Sequence, residues 1–175
     1  MAQRSDPVDF VPDPASPAAL RSALGRFATG VTVVTTAAPD GPAGFIANSF
    51  ASLSLDPPLV LWAPGKASLR FALFAAARNY AIHVLALEQE ALVRRFTRGG
   101  AGFDGLDHDV TEAGVPVLKD ALARYDCERY ATHEGGDHLI VVGRLLRVRL
   151  RDGDPLVFSQ GTYGRFASGD SRGGR

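Results

Sequence analysis

Cysteine and lysine are nearly missing from this chain of 175 residues, which has one cysteine, Cys127, and two lysines, Lys66 and Lys119. One thiol cannot close an intramolecular disulfide, so nothing points to an oxidising compartment. An excess of one charge is lacking too: 19 basic side chains stand against 19 acidic ones. A nucleic-acid binder needs a basic excess or stripe to displace counterions, and none is present. Apolar runs are short, and stretches such as 139–142 fall far below the ~20 residues that span a bilayer. The first 16 residues are polar and hold no apolar signal core. A cytoplasmic protein with neither a nucleic-acid nor a membrane partner is therefore expected. With so few lysines, each one merits separate attention.

Several motifs of chemistry are also missing. No GxxxxGK[ST] loop occurs, which argues against nucleoside triphosphate cleavage. The one GxSxG spacing, Gly169-Asp170-Ser171-Arg172-Gly173, falls in a glycine, serine and arginine tail without the strand and helix that a nucleophile elbow needs. Gly100-Ala101-Gly102-Phe103-Asp104-Gly105 matches the GxGxxG spacing. That motif works only with a strand before it and a helix after it, so that backbone N–H groups face a pyrophosphate. Here a predicted helix ending in Arg94-Arg95-Phe96 precedes it and Leu106-Asp107-His108-Asp109 follows, so residues 97–106 read as a glycine-rich loop. Asp107, His108 and Asp109, and the set His133, Asp137 and His138, offer ligating atoms. They lack the closed Cys/His spacing of a zinc site, and no metal is expected.

What remains is the composition of one folded domain, with 46% hydrophobic residues and a mean hydropathy near zero. It is expected over residues 16–166, between a disordered N-terminal segment, 1–15, and a disordered tail, 167–175. Ser16 before Pro17 predicts a helix N-cap, and Leu20, Leu24, Phe27 and Ala28 recur at helical spacing up to Gly30. The β-branched run 31–36 predicts a strand, and Pro39-Asp40-Gly41-Pro42 a turn. Residues 44–55 read as one long, bent strand stopped by Asp56-Pro57-Pro58. A short strand is predicted over 59–62, a helix from an N-cap at Ser68 to Arg78, a strand over 80–85 and a helix over 87–96. Long strands follow over 123–132 and 138–150. Residues 151–155 read as a hairpin turn into a last strand at 156–158. Strands joined by tight turns, with few short helices, predict a mainly β fold: an antiparallel barrel with peripheral helices.

The segment 44–58 sets Asn48, Ser49, Ser52 and Ser54 between apolar residues. Small side chains let a flat ligand reach the backbone, whose polar groups bond a ring edge; an amphipathic strand with serines in water has the same composition. Lys66 and Ser68 ahead of a helix make either an anion site or an ordinary cap beside a solvated lysine. His138 follows the loop Glu134-Gly135-Gly136-Asp137, so its imidazole emerges at a strand start, as a ligand contact or as a hydrogen-bonded strand histidine. Cys127 reads as a small buried hydrophobe and Trp62 as part of the barrel wall.

These pieces, in order, resemble the flavin reductase-like family, the small reductase components of two-component monooxygenases. Segment 44–58 is similar to its GxTANSFxSxSLDPP signature, with Ile46 where a hydroxyl residue is usual. Residues 27–36 (FATGVTVVTT) resemble its opening, and Leu59-Val60-Leu61-Trp62 with Lys66-Ala67-Ser68 its PPLVL…K.S segment. Arg95-Phe96 matches the RF ending its second helix, residues 136–143 its GDHxIVxG strand, and residues 158–163 its aromatic-xxGxY close. The resemblance runs from Leu20 to Tyr163. It implies a homodimeric FMN-binding split β-barrel of Greek-key type that acts as an NAD(P)H:flavin oxidoreductase. Under it, Asn48, Ser49, Ser54 and Leu55 line the flavin ring. Lys66 and Ser68 hold its phosphate, with Arg95 and Phe96 nearby; Tyr163 caps the pocket and His138 orients nicotinamide. FMN or FAD would accept hydride from NADH or NADPH, and a flavin-dependent monooxygenase would receive the reduced flavin. The alternatives are a barrel that holds flavin tightly without turnover, or a plain interaction module. Hydride transfer asks little acid–base work of the protein, whose task is to stack the two rings with reacting atoms about 3 to 3.5 Å apart.

Overall fold

The computed structural model describes residues 6–97 and 102–167. Residues 1–5, Gly100 and Ala101 of the glycine motif, and all of the expected tail after Ala167 lie outside the described residues. The fold is mainly β, and every strand pair is antiparallel.

The chain opens with α1 (Ala18–Leu24), then β1 (Thr29–Gly30) and β2 (Thr32–Ala38). The helix is shorter than its spacing predicts. Asp13 accepts the N–H of Ala15 on its side chain and that of Ser16 on its carbonyl, so the turn before the helix hangs on Asp13 and Ser16 is no cap. Gly25 ends the helix, and Phe27 is 79% exposed. The β-branched run forms β2, buried on both faces from Thr32 to Thr36. Its threonine hydroxyls are all spent on carbonyls, of Ala47 (2.6 Å), Pro116 (2.5 Å) and Asn79 (2.9 Å), so their burial leaves no donor unpaired. A two-residue turn, Pro39-Asp40, returns the chain as β3 (Gly41–Ala47).

The long strand expected over 44–55 is two strands, β3 and β4 (Ala51–Leu55), and its break shapes the molecule. The main sheet runs β3-β2-β6-β9-β10-β5-β4, where β5 is Pro58–Trp62, β6 Asn79–Val84, β9 Ala123–Gly135 and β10 His138–Leu150. The two edges are thus consecutive in sequence. Four residue steps, from Ala47 to Ala51, reach at most about 14 Å, so the sheet must curl until its edges nearly meet. The result is a barrel split at Asn48–Phe50. Its interior holds Val34, Trp62, Phe74, Tyr80, Ile82, Cys127 and Val141. Phe45 packs edge-on to Trp62 and Phe74, at 5.8 and 5.5 Å between ring centres.

Between β5 and β6 lies α2 (Phe71–Ala76), six residues long and starting three positions after Ser68. Ser68 therefore sits in the preceding turn, where its Oγ accepts the Arg70 N–H (3.2 Å), and does not cap a helix. The helix predicted over 87–96 appears as a 3₁₀ turn (Leu87–Gln89) running into α3 (Glu90–Thr97). After it, a hairpin not anticipated from sequence, β7 (His108–Val110) with β8 (Pro116–Leu118), folds against the sheet. The strand expected over 123–132 continues to Gly135, so the loop before His138 shrinks to the two-residue turn Gly136-Asp137.

Residues 151–155 do not form a hairpin turn. They carry the chain to β11 (Leu156–Ser159), which pairs with β1 and with the unforeseen β12 (Thr162–Arg165) in a separate three-stranded sheet. Burial decided this: Leu156 is 0% exposed, in a second core with Val31, Val33, Leu85, Val93, Phe96 and Phe103. That core lies beneath α3 and backs the site.

Candidate active site

Residues 63–70, linking β5 to α2, touch in turn Ser49, His138 and Phe96 among the expected site residues and themselves carry Lys66 and Ser68. At the first end, Ser49 Oγ donates to the Ala63 carbonyl (3.2 Å) and accepts the Ala63 N–H (3.0 Å). The hydroxyl thereby pins the split between β3 and β4 to the end of β5. Asn48 beside it is exposed.

Next, Pro64, Gly65 and Lys66 meet the tip of the β9–β10 hairpin. Leu139 N donates to Pro64 O (3.1 Å), Lys66 N donates to Asp137 O (2.8 Å), and Gly65 bridges to His138. The imidazole lies over Gly65, where a Cβ would come within 3.3 Å of Nε2. His138 Nδ1 is 2.7 Å from Asp137 Oδ1. The imidazole holds the Asp137 carboxyl below the usual carboxylate range. Lys66 Nζ donates to Glu134 Oε2 and to Gly136 O (2.8 Å). The lysine expected on a phosphate is thus engaged on the hairpin that carries His138.

Finally, Ser68 and Arg70 line a cavity of about 410 Å³ with Phe45, Ile46, Leu69, Phe96 and Thr97. Phe96 is buried and presses so closely on Gly44 of β3 that a Cβ there would collide with its ring. Arg70 Nη1 donates to Gly44 O and Phe96 O, both at 2.8 Å, and so joins β3 to the end of α3. Partial burial lowers its pKa. Sequence reasoning missed Arg70, although one signal was available: it is the single charged residue between Lys66 and Arg78.

The other expected residues lie further off. Arg95 is exposed and donates to Asp104 O (2.9 Å). Tyr163 leans on Phe158, ring centres 5.0 Å apart, in the apolar cluster that also holds Phe96 and Ile46. Burial, then the Glu90 carboxylate, raises its pKa. Ser54 and Leu55 are on the edge strand β4, Leu55 at 96% exposure, and neither lines the cavity. Cys127 is buried in the barrel, where desolvation and then Asp126 push its thiol up to about 12. It stays a protonated thiol, as a packing residue would. Among the described residues no His, Cys, Asp and Glu groups gather as metal ligands would, and no helix is long and apolar enough to cross a membrane.

The site has the features of a hydride-transfer pocket: an apolar, aromatic cavity with one cation and the hydroxyls of Ser68 and Thr97, and an oriented imidazole over Gly65 of the adjoining loop. Comparison with known proteins agrees. The chain is 54% identical over 158 residues to the FMN reductase (NADH) SmoA of Agrobacterium fabrum, covering 90% of this chain and 91% of that one. It is 40% identical over 149 residues to HsaB of Rhodococcus jostii, the reductase subunit of a flavin-dependent monooxygenase, covering 84% of this chain and 76% of that one. The NADH:FAD oxidoreductase SgcE6 of Streptomyces globisporus superposes with a TM-score of 0.87 at 36% identity, covering 97% of this chain and 98% of that one. The same protein in complex with NAD and FAD fragments gives 0.85, covering 93% and 100%. Residues 24–167 match the model of the flavin reductase like domain, and the chain belongs to that family.

Proposed function

We propose that this protein is an NADH-dependent flavin reductase that reduces FMN or FAD and releases the product to a separate flavin-dependent monooxygenase. The observation that carries the reading is the 54% identity, over 90% of the chain, to a protein named as an NADH-dependent FMN reductase. The pocket suits it: a cavity of about 410 Å³ walled by Phe45, Ile46, Leu69 and Phe96, with Ser68 and Arg70 at hand, fits a flat ring with an anionic tail. When bound, the flavin supplies the ring that accepts hydride, so the chain need only bind, orient and exclude water.

In this reading Ser68 and Arg70 hold the phosphate, with Arg95 further out. Asn48, Ser49, Ser54 and Leu55 belong to the wall along the ring, where Ser49 acts by fixing the backbone at the split. His138, turned by Asp137, orients nicotinamide, and Tyr163 supports the pocket from the small sheet. The protein works as a homodimer, because α1 buries none of its residues and Leu24, Phe27 and Phe166 are exposed at 66%, 79% and 66%. A single thiol, held protonated, suits the reducing cytoplasm.

The test is NADH oxidation with and without added free flavin. Turnover that rises with FMN is expected. A yellow protein that does not oxidise NADH would favour the tight flavin holder and would overturn the reading.

A further inference from the structure

The tip of the β9–β10 hairpin has little packing to hold it. Residues 132–138 are all exposed, and β5 covers β10 only from Val141 onward. A two-stranded ribbon is marginal in water, so the position of anything it carries depends on a few polar ties, here the backbone contacts to Pro64, Gly65 and Lys66 and the Lys66 side chain. We propose that Lys66 is a positioning residue for His138: its ammonium pins the hairpin tip to the 63–70 loop and so sets where the imidazole stands over Gly65. The inference rests on the reading that His138 orients nicotinamide.

Lys66 grips the tip at three places. Its Nζ donates to Glu134 Oε2 and to Gly136 O (2.8 Å), and its backbone N donates to Asp137 O (2.8 Å). These contacts bracket the turn that leads into His138, whose ring is aligned by Asp137 at 2.7 Å. A lysine suits the task, since a compact charge on a flexible stem reaches a carboxylate and a carbonyl together. The other lysine is used alike: Lys119 reaches Asp107 at 2.8 Å and Asp109 at 3.6 Å, drawing the start of β7 towards the end of β8. The Lys66 and Glu134 side chains are 37% and 77% exposed, and an exposed ion pair adds little to global stability. Its loss should therefore leave the fold intact and be felt in the placement of His138.

The experiment uses the full chain, with NADH and FMN as probes, and compares Lys66→Glu, Glu134→Lys, the double charge swap and His138→Ala. Each single reversal is expected to lower kcat/KM for NADH about tenfold, less than the hundredfold that an ångström of misplacement can cost. The melting temperature should hold, and the FMN Kd should move by less than about threefold, as befits a pair that acts through geometry. The swap restores the ion pair with its ends exchanged but not the bond to Gly136 O, which a carboxylate cannot make, and should raise kcat/KM for NADH about threefold above either single variant. A swap as slow as either single variant would overturn the inference. So would a Lys66→Glu protein with normal NADH kinetics and weakened FMN binding, which would make Lys66 a phosphate ligand. If His138→Ala alone reduces flavin at the native rate, the reading of His138 falls first and leaves Lys66 nothing to position. Should Lys66→Glu fail to fold, Lys66→Met takes its place, and native NADH kinetics in that variant would equally refute the proposal.

Discussion

Arg70 and Lys66 are two cations four residues apart that do different work, and the difference follows from where each side chain ends. Lys66 reaches the exposed hairpin tip, whereas Arg70 stays beside the cavity with Nη1 fixed on the carbonyls of Gly44 and Phe96. An arginine held in this way keeps its charge and its planar donor array in one place, as recognition of a phosphate requires. Arg70→Ala should therefore weaken FMN binding by roughly 1.5 to 3 kcal/mol, the worth of a charged hydrogen bond. Riboflavin, which lacks the phosphate, should bind the variant nearly as well as the native protein. Fluorescence titration with the two flavins tests this, and equal losses for both would reduce Arg70 to a brace between β3 and α3. The maximal rate with saturating FMN should change little, because the contact is equally present before and during hydride transfer.

Among the elements, the β7–β8 hairpin depends most on one side chain. His83 of β6 is fully buried; its Nδ1 is 3.0 Å from Val33 O, and its Nε2 accepts the Leu118 N–H at 3.1 Å. The two contacts specify a neutral ring with the proton on Nδ1, which joins β2, β6 and β8 at one point. Burial lowers its pKa from 6.5 to about 4, since a proton on Nε2 would cost that acceptor and leave a charge in the core. The unfolded chain takes up the proton near pH 6.5 and the folded one only near 4. The stabilisation is thus complete above pH 6.5, is lost as the pH falls through that window, and amounts to roughly 3 kcal/mol. Urea unfolding between pH 7 and 4 should show this slope, and His83→Gln, which cannot take up the proton, should flatten it. Equal slopes in the two proteins would mean that other groups carry the acid sensitivity. This hairpin was illegible in the sequence because its strands have three residues each, too few for any periodicity.

For the whole molecule, the question is what covers α1. A helix of seven residues with no buried side chain and no side-chain cap has little to hold it in isolation. Leu24 at its end, Phe27 just after it and Phe166 near the end of the described residues are exposed apolar side chains, which a second copy would remove from water. Sedimentation at micromolar concentration should give a species of about twice the 18.5 kDa chain mass. Phe27→Glu should shift it towards the monomer and lower the melting temperature; a native protein that sediments at 18.5 kDa would end the dimer reading.

Local chemistry alone made much of this protein legible. The β-branched run fixed β2, and turn signals at Pro39-Asp40 and Asp56-Pro57 set the boundaries between β2 and β3 and between β4 and β5. The ordered residues from Leu20 to Tyr163 carried the family likeness and with it the flavin chemistry. What failed were the features set by distant partners. The signature segment reads as one bent strand because it alternates loosely and carries no turn signal before Asp56-Pro57-Pro58, yet it splits where the curling sheet brings its two edges together and Ser49 fastens Ala63. Residues 151–155 have the composition of a hairpin turn, but Leu156 found its burial in the second core and took the chain to β1. A cation beside a predicted helix leaves an anion site or a solvated lysine open, and the family resemblance implies that Lys66 holds a phosphate; only the fold supplies Glu134 and Gly136, 68 and 70 residues away, as its partners. Sequence periodicity reports which faces are apolar and which residues are near in the chain. Which carboxylate meets which ammonium is decided by barrel closure, and that is a property of the whole sheet.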